Sequence, residues 1–366
     1  MTLEGIGLIV MSDSRELFGI QMLRGIAAVM VVIHHTLEES LAAAVGPRSP
    51  DWMTTAGAAG VDLFFVISGF IMLYVSFPTR LEASKPGLFL FRRATRIYPL
   101  YWICCAAVVA LWAIGLFASR AILTSVVIKS ALLVPTPNTL IGVSWTLSYE
   151  IYFYLIFAAT LTLRSRVASA IVTTLTIATF LVMARGLPES SMTDFLVNAI
   201  VLEFCFGLLL ALAWFNGFRP TSLFWSLPGF ILIIVAPLFV AHSNTNGLPP
   251  FARTIVWGLP AVFVLTGFLS VGPPKNRWTR FAVLVGDASY AIYLTHSFVM
   301  VIYAKLLIST PLGALPQTAI IPIVIAACIA AGLMTHFLVE RPILAMIRNL
   351  TRGKKLQAPQ GLASKT

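Results

Sequence analysis

Residues 17–37 read LFGIQMLRGIAAVMVVIHHTL, and this stretch decides the kind of fold the chain adopts. A helix needs about 20 apolar residues to cross the roughly 30 Å of hydrocarbon in a bilayer, and this stretch is long enough. Its Arg24, His34 and His35 argue against a cleaved signal peptide, whose apolar region carries no charge. We therefore expect a retained first transmembrane helix.

Further apolar stretches of similar length follow along the chain. Of all residues, 58% are hydrophobic and only 11% are charged, against roughly 25% charged in soluble domains. We predict an all-α, polytopic transmembrane helix bundle of about ten spans. They lie near residues 17–37, 57–77, 97–117, 145–163, 167–184, 194–214, 222–241, 251–271, 283–307 and 318–340. The shorter stretch 121–134 is typical of an interfacial or re-entrant helix.

The distribution of basic residues predicts the orientation in the membrane. With the N-terminus inside, most of the 25 Lys and Arg residues fall in cytoplasmic loops, as the positive-inside rule requires. Both chain ends are then cytoplasmic (N-in/C-in), while a minority of basic residues, Arg253 among them, lie on the other side of the membrane. This bias, together with anionic lipid headgroups, accounts for the net charge of +11. We expect the lipid bilayer as a partner and exclude nucleic acid.

The two ends of the chain are expected to differ in structure. Residues 1–345 hold all the predicted spans, whereas residues 346–366 are basic and polar and predict a disordered cytoplasmic tail. The cysteines have neither metal-ligand spacing nor a disulfide pattern, so we expect buried free thiols and no bound metal. These cysteines are Cys104, Cys105, Cys205 and Cys328.

The first span carries ionisable residues at membrane depth, where they are costly and typical of a functional site. Eleven residues at about 100° each bring Arg24 and His35 to the same helix face, roughly 16 Å apart along the axis. His34 points about 80° away from Arg24. The geometry therefore favours His35 as the functional histidine. The simpler interpretations are that Arg24 anchors the helix at the lipid headgroups and that His35 lies at the membrane interface.

The second span opens with polar residues within GVDLFFVISGF, residues 60–70. Asp62 fits an inward-facing site or, equally, a charge at the water interface, and Ser68 follows it. Gly60 and Gly69 allow neighbouring helices to approach closely.

Two arginines precede the third predicted span. Arg93 and Arg96 are three residues apart and are therefore neighbours on a helix surface. Guanidinium groups bind phosphate in a bidentate manner, which fits a cytoplasmic pocket for a phosphorylated donor. Positive-inside charge alone explains the same pair.

The later spans carry polar residues that need partners inside the bundle. Glu150 lies within the fourth predicted span, beyond Trp145, and a carboxylate there requires an Arg or His partner from another helix. Ser289, Tyr293 and His296 share one face of the ninth span, which indicates that this face is directed inward. A further pair, His336 and Glu340, is typical of a structural cluster at a helix end.

Together these residues resemble acyltransferase family 3, bacterial membrane O-acyltransferases that modify extracellular and envelope polysaccharides. The resemblance extends over residues 20–342, and the start of the first span is most similar to the subgroup that acetylates exopolysaccharides. Five blocks carry it, in order: Arg-x10-His (Arg24, His35), GVDxFFxxSGF (60–70), Arg-x-x-Arg (Arg93, Arg96), Trp-[Ser/Thr]-Leu-Ser-x-Glu (145–150) and Ser-Tyr-x-x-Tyr-Leu-x-His (289–296). Thr146 stands where the family usually has Ser.

The resemblance implies acetyl transfer from cytoplasmic acetyl-CoA to a hydroxyl of an exopolysaccharide or its lipid-linked precursor. It implies a multi-pass protein of the bacterial inner membrane, with acetyl-CoA as co-substrate and no bound cofactor. The implied acceptor is a polysaccharide or lipid-linked oligosaccharide, and the implied protein partners are polysaccharide-assembly proteins. A histidine near neutral pH can take the hydroxyl proton, so His35 is the expected base, or the group that relays the acetyl.

The expected roles fall into three groups. The catalytic residues are His35, Glu150 and His296, of which Glu150 and His296 would orient His35 or the acceptor. The donor phosphates are held by Arg24, Arg93 and Arg96. The supporting residues are Asp62, Ser68 and Tyr293.

Three other classes of protein fit parts of the pattern. A proton-coupled transporter of a sugar or lipid-linked substrate would use Glu150, His35 and His296 as a relay. A membrane scaffold or sensor leaves the polar faces unexplained. A different multi-span acyltransferase family would perform the same reaction on another architecture.

Overall fold

The computed structural model describes residues 17–43, 51–77, 83–115, 122–239, 249–309 and 316–356, and these residues form helices and connecting turns with no strand among them. The α-helices are α1 (Phe18–Ala43), α2 (Asp51–Ser76), α3 (Pro86–Ala113), α4 (Thr124–Ala131), α5 (Trp145–Thr160), α6 (Arg166–Ala184), α7 (Ser191–Leu196), α8 (Leu202–Phe215), α9 (Leu227–Val235), α10 (Pro250–Arg253), α11 (Leu259–Phe268), α12 (Arg277–Asp287), α13 (Ser289–Ser309), α14 (Gln317–Thr335) and α15 (Arg341–Leu356). One π-helical turn, Thr254–Gly258, joins α10 to α11, and another, His336–Glu340, joins α14 to α15.

The prediction of an all-α, polytopic helix bundle is confirmed. Among the described residues, eight helical segments are long and apolar enough to cross a membrane. A ninth arises if α12 and α13, which meet at an angle of 73°, form one broken span. The predicted span 222–241 corresponds to the shorter apolar helix Leu223–Val235, and its last residues, 240 and 241, lie outside the described residues. The N-in/C-in orientation stays a prediction.

Helix α2 lies at the centre of the bundle, and glycines let its neighbours reach it. A Cβ atom at Gly60 would collide with the carbonyl oxygen of Ala27 in α1. One at Gly69 would collide with the carbonyl oxygen of Phe204 in α8, and Gly207 of α8 faces α2 in the same way. The predicted close approach of helices at Gly60 and Gly69 is therefore confirmed.

Helices α1 and α2 run antiparallel, and this determines the level at which each of their polar residues lies along the bundle. Gly57, near the start of α2, packs against Met30 and His34, whereas Gly60 packs against Ala27. Residues early in α2 are thus level with the later half of α1. His35 and Arg24 lie on different levels of the bundle, separated by about 16 Å of helix rise.

Two shorter segments bear on the predicted boundaries. Helix α4 has eight residues, too few for a span, and α3 holds it through hydrogen bonds from Tyr101 and Trp102 to the carbonyl oxygens of Ser130 and Ala131. At the other end, the chain remains helical to Leu356. The structure therefore differs from the predicted disordered tail over residues 346–356, because the basic, amphipathic sequence that follows Arg341 continues a helix already begun. Residues 357–366 lie outside the described residues.

The cysteines agree with the sequence analysis. All four are buried and free.

Candidate active site

The first group of polar side chains lies where α1 meets α13. The imidazole rings of His35 and His296 stack with their centroids 5.3 Å apart and their planes at 22°. His35 is one-third exposed, whereas His296 is buried. Glu38 contacts both histidines of α1, with 3.2 Å from its Oε2 to His35 Nδ1 and 3.5 Å from its Oε1 to His34 Nε2. We call these four residues, His34, His35, Glu38 and His296, the histidine cluster.

The contact with Glu38 indicates which of the two ring nitrogens of His35 carries the proton. A carboxylate can only accept a hydrogen bond, so we place the imidazole proton on Nδ1, which donates to Glu38 Oε2. The lone pair then lies on Nε2, the nitrogen able to take a proton from another molecule. A carboxylate in this position also stabilises the imidazolium that forms when Nε2 accepts that proton. His35 therefore has the arrangement of a general base.

Tyr293 fixes α13 against the start of α5, one turn below His296. Its hydroxyl lies 2.8 Å from Thr146 Oγ1 and donates to the carbonyl oxygen of Val143 at 3.0 Å. Ser289, Tyr293 and His296 are all buried, so the predicted inward direction of this face is confirmed. Thr146 thus supplies a hydroxyl that Tyr293 uses as a hydrogen-bond partner.

Asp62 forms a buried ion pair that the sequence analysis did not identify. Arg253 donates to both of its carboxylate oxygens, from Nε at 3.1 Å and from NH2 at 2.8 Å, and also to the carbonyl oxygen of Ala58 at 3.1 Å. The Asp62 side chain is fully buried. The reading of Asp62 as a charge at the water interface is therefore wrong. Arg253, the last residue of α10, reaches into the bundle beside α2. Glu203 of α8 lies next to this pair and is fully buried.

The second group lies toward the N-terminal half of α1. Glu150 accepts hydrogen bonds from Tyr154 at 3.1 Å and from Ser68 at 3.5 Å. The charges of Arg24, Arg93 and Arg96 all act on this carboxylate. The three guanidinium groups therefore lie in the same part of the bundle as this carboxylate, but none of them forms an ion pair with it, and Arg24 donates instead to Gln21 Oε1 at 3.1 Å. We call Arg24, Arg93, Arg96 and Glu150 the arginine cluster.

The C-terminal part of the chain closes one side of the arginine cluster. The carboxylate of Glu340 acts on Arg24 as well, and it pairs with His336 at 2.7 Å within the second π-helical turn. The predicted cluster of His336 and Glu340 at a helix end is thus present in the structure. Arg93 keeps a buried Nε without a hydrogen-bond partner. A buried guanidinium with an unused donor is suited to an incoming anion.

The predicted site residues thus separate into two clusters with an ion pair beside them. His35 and His296 come together with Tyr293 nearby, whereas Glu150 joins Ser68 and the three arginines. Glu150 was expected to orient His35 or the acceptor, but its hydrogen bonds are to Ser68 and Tyr154, and the carboxylate on His35 is Glu38. The sequence did contain a signal for Glu38, which lies three residues after His35 and so on the same side of the helix.

Comparison with known proteins identifies the family. Residues 17–336 match the family described as the Acyltransferase domain. The chain belongs to this family. The match extends from the first residue before α1 into the second π-helical turn, so it includes both clusters and the Asp62–Arg253 pair.

Two individual relatives match most of the chain. The "Exopolysaccharide production protein ExoZ" of Rhizobium meliloti is 33% identical over 331 residues, which cover 85% of this chain and 95% of the relative. "Acyltransferase MdmB" of Streptomyces mycarofaciens is 25% identical over 332 residues, covering 81% of this chain and 83% of the relative. No solved structure matches the chain. The protein is accordingly a multi-pass membrane acyltransferase.

Proposed function

We propose that this protein transfers an acetyl group from cytoplasmic acetyl-CoA to a hydroxyl of an exopolysaccharide, or of its lipid-linked precursor, in the bacterial inner membrane. The observation that carries the proposal is the separation, within one bundle, of a partly buried arginine cluster from a histidine cluster in which His35 is one-third exposed. The relationship to a protein named for exopolysaccharide production supports the choice of acceptor.

The arginine cluster has the chemistry to bind the donor. Acetyl-CoA carries several phosphate charges at one end of a long arm and the thioester at the other. Arg93 and Arg96 lie on successive turns of α3, and the charge of Arg24 on α1 acts in the same part of the bundle. Phosphate oxygens accept short, charge-assisted hydrogen bonds from guanidinium groups, each worth about 1.5–3 kcal/mol. The arm then spans the roughly 16 Å of helix rise that separates Arg24 from His35.

Three members of the histidine cluster, His35, Glu38 and His296, have the chemistry to perform the transfer. His35 Nε2 takes the proton of the acceptor hydroxyl as its oxygen forms a bond to the carbonyl carbon of the thioester. The tetrahedral intermediate collapses, the carbon–sulfur bond breaks, and the imidazolium returns the proton to the departing sulfur. Glu38, paired with Nδ1, stabilises the imidazolium between these steps. His296 stacks on the ring and restricts its orientation.

The decisive experiment uses purified protein in lipid vesicles and acetyl-CoA that carries a label in its acetyl group. Base-labile label on a polysaccharide or lipid-linked sugar supports the proposal. A proton-coupled transporter would instead move a sugar or lipid-linked substrate into the vesicles without consuming acetyl-CoA, and that result contradicts the proposal. Co-purification with polysaccharide-assembly proteins tests the expected partners.

A further inference from the structure

The three histidine-cluster residues on α1 have the side chains and spacing of a metal site. His34, His35 and Glu38 each direct a ligand atom toward the others, and these atoms all lie within 4.8 Å of one another. Glu38 follows His34 by four residues and His35 by three, so one helical turn brings the carboxylate over both rings. Half of the Glu38 side chain is exposed, which gives an ion access from solvent.

The distances suit a transition-metal ion with tetrahedral ligands. Zinc binds imidazole nitrogen and carboxylate oxygen at about 2.0–2.2 Å, which sets tetrahedral ligand atoms about 3.3 Å apart. Glu38 Oε1 lies 3.5 Å from His34 Nε2, and Glu38 Oε2 lies 3.2 Å from His35 Nδ1. The three ligand atoms as a set lie within 4.8 Å of one another, so small side-chain rotations bring them onto one ion. Two imidazoles and one carboxylate favour Zn²⁺ over Mg²⁺ or Ca²⁺, which prefer oxygen ligands.

We propose that His34, His35 and Glu38 form a site for a divalent transition metal of the Zn²⁺ type, and that occupancy of this site switches off His35. The inhibitory role rests on the proposed function, whereas the binding itself does not. His34 has no part in the transfer chemistry described above, so the site gives this second histidine a role.

Inhibition follows from the two tautomers of the imidazole. Without metal, Nδ1 carries the proton and donates to Glu38, and Nε2 carries the lone pair that accepts the hydroxyl proton. A metal ion bound at Nδ1 takes the lone pair of that nitrogen, so the single proton of the neutral ring moves to Nε2. No proton is gained or lost in this change. Nε2 becomes a donor and can no longer act as a base.

Metal binding is measured directly, on protein purified through a tag that contains no histidine. Equilibrium dialysis with Zn²⁺ is expected to give saturable binding of one ion per chain, and Co²⁺ is expected to give the absorption bands of a tetrahedral nitrogen–oxygen site. H34A removes a ligand and is expected to weaken binding by at least about tenfold. H336A, at a histidine paired with Glu340 outside the cluster, is the matched control and is expected to bind as the unaltered protein does.

Activity gives the second readout. Zn²⁺ is expected to inhibit acetyl transfer by the unaltered protein, EDTA to restore it, and H34A to be inhibited only at about tenfold or more higher Zn²⁺. Absence of saturable binding, or equal binding by H34A, overturns the site. If Zn²⁺ binds saturably but the rate of acetyl transfer is undiminished, the site exists but the proposed inhibition of His35 is wrong. Absence of transfer in metal-free protein contradicts the proposed function instead, and the site is then judged by Zn²⁺ and Co²⁺ binding alone.

Discussion

The imidazole rings of His35 and His296 stack at 5.3 Å, although 261 residues of sequence separate them. One ring lies near the end of α1 and is partly exposed, and the other is buried in α13. This contact joins the two helices at the level where Glu38 also reaches His35. The stacking is a second reason, besides the helix face that His35 shares with Arg24, to regard His35 and not His34 as the functional histidine.

The two adjacent histidines are therefore expected to respond differently to substitution. His35→Ala removes the base and is expected to lower the rate of acetyl transfer by about 100- to 10,000-fold, the usual contribution of general base catalysis. His34→Ala is expected to retain most of the activity, since His34 is not in the proton path. Initial rates with labelled acetyl-CoA in metal-free buffer measure both. An inactive His34→Ala protein beside an active His35→Ala protein would reverse the assignment.

The two glutamates are expected to affect different kinetic constants. Glu38→Gln keeps an acceptor for His35 Nδ1 but removes the charge that stabilises the imidazolium. Because Glu38 is half exposed and its charge is screened, we expect kcat to fall only about tenfold. Glu150→Gln removes the negative charge among three arginines, and we expect it to change KM for acetyl-CoA more than kcat.

Steady-state kinetics in which each substrate is varied separately makes this comparison. If Glu150→Gln lowers kcat and leaves the donor KM unchanged, Glu150 acts on the reacting groups and not on the arginine cluster. Glu189→Gln, at an exposed carboxylate far along the chain from both clusters, serves as the control for loss of one negative charge.

The arginines of α3 are expected to act on the donor. Arg93→Ala together with Arg96→Ala is expected to raise KM for acetyl-CoA by about tenfold or more, because each lost charge-assisted hydrogen bond is worth about 1.5–3 kcal/mol. The acceptor KM is expected to change much less. Arg92→Ala is a matched control, since Arg92 is on the same helix but is exposed. An equal rise in both KM values would indicate general damage to the bundle.

The Asp62–Arg253 pair is expected to contribute to stability. Asp62→Asn leaves Arg253, whose side chain is only 18% exposed, without its counter-charge, and breaking a buried pair in this way costs about 3–5 kcal/mol. Thermal unfolding in detergent is expected to show a clear fall in Tm. Glu203→Gln, at a neighbouring buried carboxyl that is not part of the ion pair, is expected to change Tm much less.

A double variant separates the charge from the packing. Asp62→Leu combined with Arg253→Met replaces both charges by apolar side chains and is expected to recover part of the lost Tm, because such replacements of buried pairs are often close to neutral. A double variant less stable than Asp62→Asn alone would show that the hydrogen bond from Arg253 to the carbonyl oxygen of Ala58 matters more than the pair.

Local patterns predicted the parts of this structure that lie within single helices. Apolar length predicted most of the spans, and the helical period predicted the shared face of Ser289, Tyr293 and His296. The helical period could also have predicted that Glu38 lies beside His35. The predicted first span ended at residue 37, where the apolar run stops, but α1 continues to Ala43. A change to charged residues marks the edge of the hydrocarbon and not the end of the helix.

Contacts between helices could not be predicted in the same way. Asp62 and Arg253 are 191 residues apart, and Ser68 and Glu150 are 82 apart. A single sequence shows that a buried carboxylate needs a partner, but any arginine or histidine in the bundle satisfies that requirement equally well. The choice depends on which helices are neighbours. This is why Glu150 was expected beside His35 and lies among the arginines.

The packing of α2 against α8 depends on glycines whose substitution has a specific expected result. A Cβ atom at Gly207 would overlap the carbonyl oxygen of Val66 and the backbone nitrogen of Phe70, neither of which can move without shifting α2. Gly207→Ala is therefore expected to destabilise the protein by about 1–3 kcal/mol, as overpacking does in close-packed interiors. Gly87→Ala is the matched control, because a Cβ atom there meets nothing within 4 Å. Unfolding of both variants in detergent measures the difference, and equal stability would show that α2 and α8 can separate without cost. Since α2 carries both Asp62 and Ser68, we also expect Gly207→Ala to raise the donor KM, whereas Gly87→Ala leaves it unchanged.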